Sequence, residues 1–309
     1  MKIVPSPHFQ STFLLPKYWL IWLGFGALAL LVNILPFSVI KTLGYKLGLV
    51  SMRIFKKRFD IAKANLTLCF PNYSDEECLS MARKSFEYAG MAVFEMGMAW
   101  FWPQWRIRKI SSVIGKEKLL GRREPDRGVL VLCSHHYNLE MTAQIFSQFV
   151  KGYGVYRPHS NPVYEFIQHR GRTRNGHKMI DRKDIKSMIK VLKKGHELWY
   201  LPDHDYGNRN SVFAPFFDVE KAATTAGTSM LIDASHCAVI SGVTVRKGNQ
   251  YKLYIGDDLS GEIERRNPIQ AATTVNHEIE KMIMRDVPAW MWLHLRFKTR
   301  PKNEESLYA

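Results

Sequence analysis

Short apolar segments of strand length alternate with amphipathic segments of helix length over residues 128 to 285. The strand-like segments are residues 129–132, 153–156, 178–180, 198–201, 238–245 and 251–255, and the helix-like segments are residues 162–168, 183–194, 222–235 and 269–285. Strands separated by helices of this length are typical of a parallel sheet with helices packed on its faces. The pattern therefore predicts an α/β fold with a mostly parallel central sheet flanked by helices.

The strand predicted at residues 129–132 ends in polar residues that can carry chemistry. His135 follows it, and Glu140 comes five residues later at the start of a predicted helix. Ligands of open α/β sheets bind at the carboxyl ends of the strands, and a histidine held by a carboxylate can take a proton from a hydroxyl near neutral pH. His136 is an alternative base, because it stands four residues from Glu140. A loop histidine with only a structural hydrogen bond is the non-functional interpretation.

Two further polar clusters are candidates for binding substrate. Arg170, Arg172 and Arg174 surround a glycine, and such a cluster can hold phosphate through bidentate hydrogen bonds or can be a solvated basic loop. Asp203 and Asp205 follow the strand-like segment 198–201, where they can bind a ligand, orient an arginine or form a tight polar turn.

We predict no bound metal. The calcium-loop pattern around Asp203 is incomplete, and the sequence has no zinc-protease helix motif. It also lacks a glycine-rich phosphate loop and the Gly-x-Ser-x-Gly nucleophile motif.

Residues 18–40 form an uncharged, largely apolar run, long enough to cross the hydrocarbon core of a bilayer. Tyr18, Trp19 and Trp22 suit the membrane interface at one end. The alternative is a buried core helix, and a cleaved signal peptide fits less well. Few basic residues precede the run and many follow it, namely Lys41, Lys46, Arg53, Lys56, Lys57, Arg58 and Lys63. By the positive-inside rule the carboxyl side is predicted to be cytoplasmic.

The chain is divided into three parts by these patterns. Residues 1–41 are the N-terminal segment with the membrane anchor. Residues 42–105 are a basic and amphipathic helical region, in which Ser74 and Glu77 form a helix-capping pattern. Residues 106–309 are the α/β catalytic region, which we expect to form one domain with residues 42–105.

The net charge of +16, from 44 Lys and Arg against 28 Asp and Glu, predicts an anionic partner. The basic residues form no recognisable nucleic-acid module, so we expect a membrane surface or an acidic partner and no nucleic acid. The four cysteines are widely spaced, which favours neither a disulfide framework nor a zinc site and indicates a reducing compartment.

Several motifs together resemble the lipid A late acyltransferases, and most closely their lauroyl and palmitoleoyl branch. They are His135-x-x-x-x-Glu140, Arg157-Pro-x-x-Asn-Pro162, Arg170-Gly-Arg172, Pro202-Asp-His-Asp-Tyr-Gly207, Ala222-Ala-Thr-Thr-x-Gly227 and Trp292-Leu-His-x-Arg-Phe297. The resemblance covers almost the whole chain. One departure is that Tyr137 and Asn138 are more polar than the residues expected after the motif histidine.

The resemblance implies a glycerolipid-acyltransferase-like fold and a specific reaction. A fatty acyl group passes from acyl carrier protein to the 3-hydroxyl of an acyl chain on Kdo2-lipid IVA. It implies His135 as the general base and Glu140 as the residue that orients it, with His136 as a neighbour without that role. Arg172, and with it Arg170 and Arg174, would bind the phosphates of the lipid.

The resemblance also implies where the protein works and what it needs. The enzyme would act at the bacterial inner membrane, held by a single-pass anchor with its catalytic domain on the cytoplasmic side. Acyl carrier protein, Kdo2-lipid IVA and the anionic bilayer would be its partners, and it would use no cofactor. The competing hypotheses are a glycerolipid acyltransferase and a non-catalytic basic protein that binds the membrane surface.

Overall fold

A central sheet of seven strands dominates the structure, a computed structural model that describes residues 3–121, 124 and 126–308. The strands are β1 (Ser111–Ile114), β2 (Val129–Leu132), β3 (Tyr153–Tyr156), β4 (Lys178–Asp181), β5 (Glu197–Tyr200), β6 (Ser211–Phe216), β7 (Val219–Thr225), β8 (Ala238–Lys247) and β9 (Gln250–Asp258). The helices are α1 (Trp19–Ile34), α2 (Phe37–Ile54), α3 (Lys56–Cys69), α4 (Asp75–Phe101), α5 (Gln104–Lys109), α6 (Lys116–Leu120), α7 (Leu139–Phe146), α8 (Pro162–Thr173), α9 (Ile185–Leu192), α10 (Gly227–Ser235) and α11 (Pro268–Ile283). Short 3-10 turns lie at Ser11–Leu14, Pro16–Tyr18 and Val287–Ala289.

The sheet has the order β1-β9-β8-β2-β5-β3-β4. Every neighbouring pair is parallel except β8 and β9, which are antiparallel. The central strand β2 is fully buried because helices cover both faces of the sheet. The predicted α/β fold with a mostly parallel sheet is therefore confirmed.

The pairing of β2 with β5 aligns the carboxyl ends of these two central strands. Leu132, the last residue of β2, lies opposite Tyr200, the last residue of β5. His135 and Asp203 each follow three residues after those strand ends. Parallel pairing thus brings the two loops together at one edge of the sheet.

One predicted helix is partly wrong. Residues 222–235 were expected to be helical, but β7 extends to Thr225 and the helix α10 begins only at Gly227. β7 pairs with β6 as an antiparallel hairpin outside the main sheet. The buried Thr224 hydroxyl is hydrogen-bonded to Asn276 of α11, so tertiary packing outweighs the helix propensity of the alanines.

The long helix α4 connects the N-terminal region to the sheet domain. The capping box predicted at its start is present, since the Ser74 hydroxyl accepts from the Glu77 amide and Glu77 accepts from the Ser74 amide. α4 packs closely against α2 where glycines meet, because a Cβ placed on Gly90 would lie 2.2 Å from the backbone nitrogen of Gly48.

The apolar run at residues 18–40 is not one continuous helix. α1 ends at Ile34, and Leu35 is extended because Pro36 disfavours helical geometry in the residue before it. Residues 16–34 form one helical stretch that is long and apolar enough to cross a membrane, with only 17% of its apolar window buried. That exposure argues against a core helix and is consistent with association with a membrane. The inner face of α1, at Leu28, packs against Gly97 of α4.

Candidate active site

His135 and Asp203 form the centre of the candidate site. The His135 Nδ1 atom lies 2.7 Å from Asp203 Oδ1, and the His135 backbone amide donates to Asp203 Oδ2 at 2.7 Å. The Asp203 side chain is fully buried, whereas 23% of the His135 side chain is exposed. The carboxylate therefore holds the imidazole from the protein interior, and the ring faces outward.

The surroundings of Asp203 keep its carboxyl ionised. Burial alone would raise its pKa, but the charge and hydrogen bonds of His135, together with His204, hold the pKa well below its usual range. Trp290 also donates its indole NH to Asp203 Oδ2 at 2.7 Å. A carboxylate can only accept, so the proton shared with His135 lies on Nδ1 and Nε2 is left as the basic nitrogen. Within the described part of the chain, no protein group bonds that nitrogen.

Two further histidine rings lie in a row with His135. The rings of His135 and His204 are nearly parallel, with centroids 3.6 Å apart, and the His204 and His294 centroids are 4.0 Å apart. Burial lowers the pKa of His204 to about 2 and that of His294 to about 4, with the charge of His135 adding to both shifts. Both neighbours are therefore neutral at physiological pH, and a positive charge formed on His135 meets only one close opposite charge, that of Asp203.

Glu140 does not occupy the place predicted for it. Its carboxylate accepts from Arg172 Nε at 2.9 Å and closely from Arg172 Nη2, while its second oxygen accepts from the Trp100 indole at 2.8 Å. The expected orienting contact on the His135 ring is made by Asp203 instead. The reason is that Glu140 lies on α7 and faces α4 and α8, whereas Asp203 follows the strand adjacent to β2.

The three predicted phosphate-binding arginines differ in their contacts. Burial would lower the pKa of Arg172, but the neighbouring Glu140 carboxylate raises it, so the guanidinium stays charged within an ion pair. Arg174 is exposed and donates to the Trp100 carbonyl, and Arg170 is exposed at the end of α8.

Both predicted substrate-binding aspartates are buried. Asp203 lies behind the imidazole with no exposed surface. Asp205 is buried and accepts from the Gly207 amide at 2.8 Å and from the amide and hydroxyl of Thr299 at 2.7 and 2.8 Å. Asp203 therefore holds the His135 ring and Asp205 fixes the loop against the C-terminal segment, and the role of these two residues in substrate binding stays a prediction.

The other residues of the motif loop serve as structural anchors. His136 is buried, its Nδ1 bonds the Ser134 hydroxyl at 2.8 Å, and burial lowers its pKa to about 4. The Tyr137 hydroxyl lies 3.0 Å from Ser85 of α4, and Asn138 donates to the Thr244 carbonyl at 2.9 Å. These contacts explain the polar residues after the motif histidine as ties from the loop to α4 and β8.

The same cluster has the donor atoms that could hold a cation. Ligand atoms of His135, Asp203 and His204 lie within 4.8 Å of one another. A ring nitrogen that binds a cation there cannot also accept a proton. The absence of a metal from the working enzyme stays a prediction.

Sequence reasoning placed Asp203 in a polar loop but missed its partnership with His135. The available signal was positional, because both residues lie three positions beyond strands that are adjacent in the sheet. Trp290 and His294, which complete the site, come from a segment with no strand or helix pattern. No local sequence signal connects them to His135.

Among the described residues, the site places a carboxylate-held histidine next to a cysteine and a serine that are not activated as nucleophiles. Burial raises the pKa of the neighbouring Cys133 thiol, and the Ser134 hydroxyl is bonded to the buried His136. A carboxylate-held histidine at the edge of an α/β sheet is suited to taking a proton from a hydroxyl.

Comparison with known proteins identifies the enzyme family. Residues 6–299 match the family of bacterial lipid A biosynthesis acyltransferases, so the chain belongs to this family and is an acyltransferase. It is 45% identical to the lipid A biosynthesis lauroyltransferase of Escherichia coli K12, over 98% of this chain and 99% of that protein. It is 42% identical to the palmitoleoyltransferase of the same organism, with the same coverage. A lipid A biosynthesis acyltransferase of Haemophilus influenzae is 38% identical over the full length of both chains.

Proposed function

We propose that this enzyme transfers a fatty acyl group from acyl carrier protein to the 3-hydroxyl of an acyl chain on Kdo2-lipid IVA. The observation that carries the proposal is the His135–Asp203 pair, whose outward nitrogen is the acceptor of a proton. The family membership and the names of the relatives support lipid A as the acceptor class.

The pair provides a direct transfer mechanism. Nε2 of His135 takes the hydroxyl proton as the hydroxyl oxygen attacks the thioester carbon, and the negative charge moves to the carbonyl oxygen. Collapse of this tetrahedral intermediate breaks the carbon–sulfur bond, and the leaving thiolate takes the proton back from the imidazolium. Asp203 stabilises the imidazolium while it exists. A positioned base of this kind contributes on the order of 100- to 10,000-fold in rate.

In this proposal Glu140 acts on substrate through Arg172. The carboxylate holds the guanidinium at one position at the carboxyl end of α8, close to the exposed Arg170 and Arg174. A guanidinium fixed by one carboxylate still has NH groups to offer a phosphate, and its geometry suits that anion. We therefore assign the three arginines to the phosphates of the acceptor.

We further propose that the enzyme works at the inner membrane as a single-pass protein with its catalytic domain in the cytoplasm. The exposed apolar stretch at residues 16–34 and the basic residues that follow it support this topology. The net charge of +16 suits the acidic carrier protein, the phosphorylated acceptor and the anionic bilayer. No cofactor is needed, because the thioester is already an activated acyl donor.

The test is transfer from acyl carrier protein to Kdo2-lipid IVA by the purified protein in detergent. His135→Ala should abolish transfer, whereas His136→Ala should retain substantial activity because its ring contacts Ser134 and not the substrate. Full activity of His135→Ala would overturn the assignment of the base. Transfer to glycerol 3-phosphate, with none to Kdo2-lipid IVA, would identify a glycerolipid acyltransferase instead.

A further inference from the structure

We infer that a groove between α2 and α4 holds the acyl chain that is transferred, an inference that rests on the proposed function. The groove has a volume of about 550 Å³, within the ~300–1,000 Å³ of small-molecule sites. Its walls include Leu47, Phe55, Phe86, Val93, Met291 and His294. We call it the α2–α4 groove.

One end of the α2–α4 groove adjoins the candidate active site. His294 lines the groove and its ring also lies against that of His204, which stacks in turn on that of His135. Met291, another wall residue, donates its amide to the His135 carbonyl at 3.0 Å. His294 Nε2 is buried and has no hydrogen-bond partner within the described part of the chain. A polar atom is therefore available where the thioester would meet an otherwise apolar channel.

The direction of the groove follows from the pairing of its two helices. Gly44 of α2 faces Met91 of α4, and Gly48 faces Phe86, so the helices run antiparallel. Arg58, just beyond α2, donates to the Leu293 carbonyl at 3.1 Å, which places that end beside the neighbouring His294. Val93 therefore lies toward the opposite end, where the methyl terminus of a chain would lie.

The surroundings of the groove also suit a lipid-derived chain. The apolar side chains Leu47, Val50, Ile54 and Phe55 along α2 are 41–69% exposed and continue the apolar surface of the groove outward. An acyl chain can enter from this surface with little contact with water. Arg58 adds positive charge at the end near the thioester, which is complementary to an acidic carrier protein.

The groove fits the donor chain better than the acceptor. Its walls come mainly from two helices, and the nine residues from Leu47 to Phe55 span ~12 Å. One unbranched chain fills a space of this shape. A phosphorylated glycolipid with several chains needs a wider surface with cations, and the charged residue among the groove walls is Arg58 alone.

The test is to narrow the end of the α2–α4 groove at Val93 and to measure the preference of the enzyme for donor chain length. Val93→Phe should reduce kcat/KM for long saturated donors relative to short ones, on the order of tenfold or more, because a hydrophobic pocket discriminates by about this factor per methylene. Leu47→Ala should shift the preference toward longer donors. The matched control is Val39→Phe, the same change at an exposed position of α2 that does not line the groove, which should keep the wild-type ratio.

Three results would overturn the inference. The first is equal slowing of all donors by Val93→Phe, and the second is an unchanged donor ratio in both groove variants. The third is altered discrimination among acceptors with the donor ratio unchanged, which would assign the groove to the acceptor. If the wild-type protein transfers no donor, the proposed function fails. Crosslinking of a carrier protein bearing a photoreactive acyl chain then tests separately whether the chain lies in the groove. Labelling of α2 and α4 would support this inference, and labelling elsewhere would refute it.

Discussion

Asp203→Asn is the sharpest test of the His135–Asp203 pair, because the structure predicts how the amide would be oriented. Asp203 Oδ2 accepts from two NH donors, the His135 amide and the Trp290 indole. The asparagine oxygen must therefore occupy that position, and its NH₂ group must face His135 Nδ1. A donor there turns Nδ1 into an acceptor and places the ring proton on Nε2. The outward nitrogen then cannot take the proton of a hydroxyl.

The loss of activity in Asp203→Asn follows from the missing negative charge as well as from the changed tautomer of His135. An imidazolium formed in the transition state would lose an opposite charge at hydrogen-bond distance, an interaction worth ~4 kcal/mol at an effective dielectric constant of ~20. At about 1.4 kcal/mol per tenfold change in rate, this predicts a loss of ~10³-fold in kcat. KM should change little, because Asp203 has no exposed surface with which to contact substrate.

The assay is steady-state transfer from acyl carrier protein, with Glu140→Gln as the comparison and thermal unfolding in detergent as the control for folding. Glu140→Gln keeps the shape of the side chain and removes the charge that pairs with Arg172, so its main effect should be on KM for the acceptor. An Asp203→Asn enzyme that folds and keeps its kcat, beside a Glu140→Gln enzyme without activity, would refute the reasoning and restore Glu140 as the orienter.

Three further predictions concern acid stability, helix packing and metal. The pKa values of about 4, 2 and 4 for His136, His204 and His294 lie below the ~6.5 of unfolded histidine, so the unfolded chain binds more protons below pH ~6.5. Stability should fall as the pH drops from ~6.5 toward 4, by up to ~1.4 kcal/mol per histidine per pH unit, and an unfolding temperature unchanged between pH 7.5 and 5.5 would contradict this. Gly90→Ala should lower the free energy of unfolding by ~1–3 kcal/mol through overpacking against α2, whereas Gly261→Ala, with no atom within 4 Å of the new Cβ, should have little effect in the same denaturation assay. Dialysis against a chelator should leave the transfer rate unchanged, and loss of activity that only a divalent cation restores would show that the His135, Asp203 and His204 cluster binds a metal.

Periodicity was enough to predict most of the fold. The strand-like segments at residues 129–132 and 153–156 coincide with β2 and β3, because buried parallel strands have a strong local signature of β-branched and aromatic residues. The failure at residues 222–225 has the opposite origin. The alanines there favour a helix and the threonines favour a strand, and the hairpin with β6 decides their conformation.

The site was harder to predict than the fold because its contacts join distant parts of the chain. His135 was found because it follows a strand, but its partner Asp203 is 68 residues away and Trp290 is 87 residues beyond Asp203. Glu140 is only five residues from His135, yet the short helix α7 directs its carboxylate toward Arg172 and Trp100.

Asp203 and Glu140 therefore have separate roles, whereas the sequence motif predicted a role for Glu140 alone. Asp203 sets the tautomer of His135, the proposed base, and would stabilise its positive charge, and Glu140 fixes the arginine proposed to hold the phosphate of the acceptor. The two roles are separable in principle, since no described hydrogen bond connects the pairs directly. Variants of the first pair should act on the chemical step, and variants of the second should act on binding of the acceptor. A double variant, Asp203→Asn with Glu140→Gln, should then lose activity by the product of the two single effects, because sites without shared partners are additive in free energy.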